Sequence, residues 1–451
     1  MNTESIGSRH ICLGDAIHTM IENLRMNKST LLLCLVICAL SATMCRGATE
    51  QAPARPLTLN ECIELALANQ VDIAIARNNV AIAKGRATEA ASDYLPKASI
   101  QNNAFHFGSG DVLTRVTNGT ALTVTQNIYD GGIREANHQA SRYGVKASEA
   151  VMARTVQSVA FTVTRAYYEV LRARRLAEVA DSSVAYNEEL RNQVKTRAEM
   201  GAAAKVDVLP VEAQLASAVV SQLSTRNAVR TSALSLQSAI GLAPSADFDV
   251  QESDGSSLPD PASLEKQIAD AVSHRPDLVQ AEAQSGVARA SVRAAKTSLY
   301  PRPVITGEYQ HSISGGFGSS GTQVVGGIAF DVFDGGANRA AYRQARAEQA
   351  NTEAQASQLV KDIQVEVEQA RLNLTSAKER IAASELGLKA AQTNYDVQKD
   401  RYNQGLAITL DLLNAELQVT TAKTNDVQAR YDYYTAIAQM EYALGVGGRE
   451  R

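Results

Sequence analysis

Two aspartates, Asp207 and Asp411, stand at matched places in this 451-residue chain, each a few residues beyond a glycine, Gly201 or Gly405. A carboxylate just past a helix-ending glycine suits the positive dipole end of the next helix. Repeated around an axis by several chains, such carboxylates form a ring that repels anions, selects cations and acts as a constriction. Tyr402 and Asn414 flank the second aspartate, and Lys205 and Glu212 flank the first. A solvated, capped hairpin end explains any one of these residues equally well.

Catalysis has little support. His106, His138, His274 and His311 are scattered and never at the i, i+4 spacing of a metal pair. There is no Gly-x-Ser-x-Gly elbow and no Gly-x-x-x-x-Gly-Lys phosphate loop. No enzyme, metal or cofactor is expected. Asp130-Gly131-Gly132, repeated as Asp334-Gly335-Gly336, could be an anion nest. The better reading is a kink from strand into helix, with glycine allowing the bend and aspartate capping the helix. A net charge of −4, with no basic stripe, excludes nucleic acid as a partner.

These residues recur because the chain is duplicated. Residues 69–242 return, shifted by about 204 positions, as residues 274–446. Within the first copy, Met152, Val156, Val159, Val163, Ala166, Val170, Ala173, Ala177, Ala180 and Val184 alternate steps of four and three, a coiled-coil seam. The offset carries it onto Ala356, Val360, Ile363, Val367, Ala370, Leu374, Ala377, Ile381, Ser384 and Leu388. Proline-free helices are predicted over 132–199 and 336–404, each roughly 100 Å long. Each turns at its glycine and returns as a helix, to about Leu242 and Leu444. Shorter helices open the halves, over 58–94 and 262–299, and end before Pro96 and Pro301.

Between the helices lie runs with strand alternation: 97–107 with 120–129, and 304–314 with 322–333. Leu122, Val124 and Ile128 share one face, with Thr123, Thr125 and Asn127 on the other. Ile328, Phe330 and Val332 play the apolar part in the last run. Loops at Gly108–Asp111 and Gly315–Gly321 join them. Each run is near the 9–11 residues of a tilted transmembrane strand, but four strands cannot close a barrel alone. Strands that span a membrane therefore imply an oligomer. Tyr94, Tyr129, Tyr300 and Phe333 would then mark one rim, as an interfacial aromatic belt, the alternative being four aromatics that cap hydrophobic cores.

Residues 1–47 read as an export signal, with Met26 the better start, a short basic segment and the apolar run Leu31–Leu40. Cys45 is a weak candidate for lipidation, because Met44 precedes it. Cys62 is the only cysteine beyond the signal, so no internal disulfide is expected. The expected organisation is the signal at 1–47, a first repeat at 48–242, a connector at 243–261 and a second repeat at 262–451.

Tyr129-Asp130-Gly131-Gly132-Ile133-Arg134, Phe333-Asp334-Gly335-Gly336 and Arg401-Tyr402-Asn403-Gln404-Gly405 with Asp411-Leu412-Leu413-Asn414-Ala415 resemble the TolC-like outer membrane efflux proteins. The resemblance covers nearly all of the chain beyond the signal. It implies a mainly α protein with a small β part. Duplicated coiled-coil hairpins would form a periplasmic α-barrel, and four strands per chain a shared twelve-stranded transmembrane β-barrel in a homotrimer. The implied function is an outer membrane channel-tunnel exporting small molecules or polypeptides. Its partners would be an inner-membrane pump, a periplasmic adaptor protein and outer membrane lipid. A soluble periplasmic coiled-coil adaptor or structural protein is the alternative.

By resemblance Asp207 and Asp411 match acidic gate positions, and Tyr402 a tyrosine in the gate's inter-helix links. Arg197, Gly201, Arg401 and Gly405 match the adaptor-contacting tips. Two positions depart: Asn414 stands where the family's best-known member has a second gate aspartate, and Ala407 where it has an arginine tethering the closed state. A weaker acidic ring and a differently held closed gate follow from these departures.

Overall fold

The computed structural model describes residues 56–104, 118–201, 204–244, 248–252, 264–314 and 317–446. The expected signal with Cys45, the loop at Gly108–Asp111 and most of the expected connector lie outside the described residues. The elements run α1 (Leu59–Asn69), α2 (Val71–Ser92), β1 (Lys97–Ala104), β2 (Asn118–Tyr129), α3 (Ile133–Glu199) and α4 (Val208–Ile240). The second half follows the same order with α5 (Leu264–His274), α6 (Pro276–Thr297), β3 (Arg302–Ser314), β4 (Phe317–Ala329), α7 (Ala337–Asn403) and α8 (Thr409–Ala443).

The long helices α3 and α7 are each 67 residues and end within a residue of the spans predicted from sequence. Val159, Val163, Val170, Ala173, Ala177, Ala180 and Val184 of the first seam are buried, as are Ile363, Val367, Ala370 and Ala377 of the second. The remaining seam residues are half-buried and none is exposed. At the first repeat's waist α3 supplies Val163 and Tyr167 to a core completed by Cys62 and Ala66 of α1 and by Leu236 and Ile240 of α4. Full burial of side chains such as Leu236 and Ile240 contributes about 1.5–3 kcal/mol each. Ala271, Ile363, Val367, Met440 and Ala443 build the matching core of the second repeat.

The opening helix of each half is broken, where the sequence predicts one continuous helix. Gln70 adopts an extended backbone with ψ 127°, and Arg275 does the same with ψ 119°. Pro276 explains the second break, since the residue before proline is pushed out of the helical region. The first break has no proline and is held by side-chain bonds. Gln70 Oε1 accepts from Val71 N at 3.0 Å, and its Nε2 donates to the Ala239 carbonyl at 3.2 Å. At the same place in the second half, Arg275 Nη1 donates to the Ala443 carbonyl at 3.0 Å.

Arg275 is the centre of a buried ion cluster. Its guanidinium reaches Asp277 at 2.6 Å and Glu366 at 2.6 Å, and Arg154 lies beside both acids. Burial pushes the Asp277 carboxyl upward, but the hydrogen bonds and charge of Arg275, the charge of Arg154 and the Leu278 N–H outweigh it and hold it below the usual carboxylate range.

The four strands form one antiparallel sheet in the order β1-β2-β3-β4. Register places Ala98 opposite Val124 and Val124 opposite Tyr309, and Ile100 opposite Leu122. Period-2 alternation then puts Ile305, Ile313, Val324 and Ile328 on that same apolar face. The other face carries Lys97, Ser99, Thr123, Thr125, Glu308 and Gln310. β4 spans Phe317–Ala329, not 322–333 as the sequence suggests, so Phe330, Val332 and Phe333 lie beyond it. Its start extends because residues 317–321 pair with Gln310–Ser314 despite their glycines and serines. Its end comes early because Asp331 and Asp334 already turn the chain, accepting from Asn338 Nδ2 at 3.3 Å and from the Gly336 N–H at 2.8 Å.

Candidate functional site

The hairpin tips bring the sequence-selected residues into one neighbourhood. Gly201 and Gly405 take left-handed backbone with φ of 74° and 73°, which ends α3 and α7 and reverses the chain. Asp207 Oδ2 then accepts from Ala204 N at 3.2 Å, and Asp411 Oδ2 from Ile408 N at 3.4 Å. The duplication thus preserves a carboxylate that reaches back to an orphan N–H at the start of the returning helix. Asp207 is half-buried, while Asp411 and Asn414 are exposed.

Tyr402 is the buried member of the set. It packs with Leu190, Val194, Val211, Leu412 and Leu413, a core joining the ends of both hairpins, with Ala407 against its edge. The Arg197 guanidinium lies 4.7 Å from the Tyr402 ring centroid, a cation–π contact from the first hairpin to the second. Arg401, the counterpart of Arg197 in the repeat, stays exposed.

Further along the same helices, Glu416 of α8 is buried against α3. Its Oε1 accepts from Ser183 Oγ at 3.1 Å and Thr420 Oγ1 at 2.8 Å, while its Oε2 has no partner among the described residues. Sequence reasoning missed Glu416 and the Arg197–Tyr402 stack, because both are contacts between hairpins, which periodicity within one helix does not encode. It also missed a groove of about 940 Å³ between α7 and α8, lined by Ala383, Ser384, Gly387, Ala390, Ala422 and Ala429. Small residues on both helices were its available signal.

At the other end, the two strand-to-helix junctions are near copies. Asp130 accepts from Gly132 N at 3.2 Å and Arg134 N at 3.0 Å; Asp334 accepts from Gly336 N at 2.8 Å and Asn338 N at 2.7 Å. The Asn338 and Gly336 N–H groups hold the Asp334 carboxyl below its ordinary range. Gly131, Gly132, Gly335 and Gly336 all have φ between 65° and 94°. At the first junction Arg134 is buried, stacks on Tyr94 at 4.1 Å and donates to the Asn127 carbonyl at 2.6 Å.

Among the described residues no group of His, Cys, Asp and Glu is arranged to hold a metal ion, and no helix is long and apolar enough to cross a membrane. One sheet thus carries two faces of opposite character and continues into long paired helices. The model of the outer membrane efflux protein family matches residues 62–242 and 268–446. The chain belongs to the outer membrane efflux protein family.

Among relatives in this family, the outer membrane efflux protein BepC of Brucella suis biovar 1 is 23% identical over 381 residues, covering 84% of this chain and 81% of BepC. The pyoverdine export outer membrane protein OpmQ of Pseudomonas aeruginosa is 24% identical, covering 86% of this chain and 85% of OpmQ. The solved outer-membrane channel OprN shares the fold with a TM-score of 0.76 and 22% identity, over 86% of this chain and 90% of that one. As an outer membrane efflux protein, the chain is placed in the outer membrane and works in transport. Membership does not favour the soluble coiled-coil alternative.

Proposed function

We propose that this efflux protein works as a homotrimeric duct, three chains sharing one twelve-stranded barrel above a helical tunnel. The observation that carries this reading is the sheet: four strands with one apolar face, one polar face and two unpaired edges, β1 and β4. An open edge in lipid leaves backbone groups unpaired, and membrane barrels begin at about eight strands. Joining β4 of one chain to β1 of the next removes every edge.

A second seam supports the same assembly. On α4, Leu209, Ala213, Ala216, Val220, Leu223, Asn227, Arg230 and Leu234 repeat the four-three spacing, and all are exposed. Leu209, Val220 and Leu223 are each more than 60% exposed. The apolar part of this seam, Leu209 to Leu223, fits a neighbouring helix.

In this reading the tips form the periplasmic gate. Asp207 and Asp411 from each chain supply its carboxylates, Asn414 lies beside them, and Tyr402 holds the two hairpins of one chain together. Arg197, Gly201, Arg401 and Gly405 mark the end that meets a periplasmic adaptor, through which an inner-membrane pump supplies the energy. The protein performs no chemistry of its own. Purified protein in detergent tests the assembly: light scattering gives a trimer and planar bilayers give discrete cation-selective pores. A water-soluble monomer that forms no pores sinks the reading.

A further inference from the structure

At the first strand-to-helix junction a cavity of about 470 Å³ opens between the start of α3, the end of α6 and the start of β3. Arg293, Lys296 and Arg302 line it, together with Tyr129, Tyr300 and Gly131. We propose that this groove binds the phosphodiester headgroup of an anionic phospholipid. The inference rests on the reading that the sheet crosses a membrane.

The groove is cationic. Among the described residues the side chains of Arg293, Lys296 and Arg302 make no ion pair or hydrogen bond; the Thr297 hydroxyl reaches only the Arg293 backbone carbonyl, at 3.0 Å. Their neighbours are engaged: Arg289, one turn earlier, pairs with Glu353 at 3.2 Å. Glu135 is the groove's one carboxylate, and it already contacts Arg134 at 3.3 Å. Three cations without a protein counter-charge on one concave surface attract an anion, and a phosphodiester accepts from guanidinium and ammonium donors together.

The groove also sits at one end of the sheet. Register puts Tyr129 opposite Ile305, and Pro303, two residues earlier on β3, shares the Ile305 face. The groove therefore lies at the foot of the sheet, with Tyr129 and Pro303 on the apolar face and Arg302 on the polar one, at the depth where lipid tails would end and headgroups begin. Tyr129 and Tyr300 are 41% and 60% exposed there, as suits amphipathic rings at headgroup depth. Gly131 brings the cation in close: a Cβ at this glycine would lie 2.8 Å from Arg302 Cβ.

The duplication supplies an internal comparison. Aligned on Pro96 and Pro301, the counterparts of Arg293, Lys296 and Arg302 are Thr88, Ala91 and Lys97. Two of the three cations are absent, and the third is held by Asp93 at 2.6 Å. The turn from helix to strand does not require this charge, since the same turn between α2 and β1 is built without it. Basic pockets at membrane depth are a known way of recognising anionic headgroups.

The test uses the full protein in nanodiscs of phosphatidylcholine doped with phosphatidylglycerol, with retained lipid counted by native mass spectrometry after extraction. The wild type retains phosphatidylglycerol in preference to phosphatidylcholine. At about a fivefold factor per basic residue near the surface, the triple variant R293Q/K296Q/R302Q retains it on the order of a hundredfold more weakly. The charge-keeping variant R293K/R302K retains it nearly as well as wild type. Equal retention by wild type and triple variant overturns the site. So does inorganic phosphate binding to lipid-free protein as tightly as phosphatidylglycerol does, which would mark a free-phosphate site. Pore formation in planar bilayers separates the two levels: a protein without pores refutes the membrane reading, whereas pores without phosphatidylglycerol preference refute only the groove.

Discussion

Arg197, at the end of the first long helix, stacks on Tyr402, at the end of the second, and the tyrosine ring rather than its hydroxyl makes the contact. Among the described residues the Tyr402 hydroxyl has no hydrogen-bond partner. Tyr402→Phe should therefore leave single-channel conductance near wild type, while Tyr402→Ala raises it. Arg197→Gln should raise open probability about two- to fivefold, the equivalent of a cation–π contact of roughly 0.5–1 kcal/mol. A Tyr402→Phe pore as open as Tyr402→Ala would show that the hydroxyl matters instead.

Asp411 has two separable roles in the proposed gate, charge and helix capping. Asp411→Asn keeps an oxygen for the Ile408 N–H and removes the charge, so cation selectivity should fall with little change in thermal stability. Asp411→Ala removes both, and conductance should rise further. Reversal potentials in a salt gradient distinguish the variants. Unchanged selectivity in both would remove Asp411 from the gate.

Acid should loosen the waist of the second repeat. The folded Asp277 carboxyl lies below its ordinary value, so its contribution is fully present above the unfolded value of about 4 and is lost as pH falls through the folded value. Asp277→Asn should destabilise the protein near neutrality, at the low end of about 3–5 kcal/mol because Glu366 still pairs with Arg275. The difference from wild type should close as pH drops below 4. Melting curves across that range check it, and a gap that stays constant at low pH contradicts the assignment.

Cys62 is fully buried in the waist core, and burial followed by the neighbouring Glu61 charge pushes its thiol up to about 12. At pH 8 the thiolate population should be roughly a thousandfold below that of a free cysteine. A thiol-reactive chromophore should label denatured protein at once and folded protein only on the timescale of opening. Rapid labelling of folded protein would place Cys62 at an accessible surface.

The two junctions allow a matched pair of substitutions. Gly131→Ala meets both a positive φ of 81° and a 2.8 Å approach to Arg302 Cβ, whereas Gly335→Ala meets a φ of 65° in open space. Left-handed backbone costs a non-glycine residue about 1–2 kcal/mol, and the overlap adds roughly 1–3 kcal/mol more at Gly131. Gly131→Ala should lower the melting temperature by more than Gly335→Ala. Equal losses would mean the junction at Arg302 yields without strain.

Much of this architecture was legible because duplication states each pattern twice. The Val159–Val184 seam survives translation onto Ile363–Leu388, and Gly201 and Gly405 mark both reversals. The break at Gln70 was hidden, because a glutamine that caps its own helix and a distant carbonyl has no local signature. The start of β4 was hidden as well: Phe317–Gly321 has weak strand propensity and is held by its partner strand. At the tips, residue types suggested where to look, but the pairing of Arg197 with Tyr402 belongs to the packing of two hairpins.

At the two waist breaks, Gln70 and Arg275 cap the carbonyls of Ala239 and Ala443, corresponding places in the two repeats. One donor is a neutral amide and the other a buried cation with two acids around it. Divergence kept the direction of a hydrogen bond and exchanged its chemistry. Comparison by residue type would discard this pair as unrelated, while comparison by which carbonyl is capped would align it. Ancestry here is written in what the backbone receives, and the side chains are free to change as long as something delivers it.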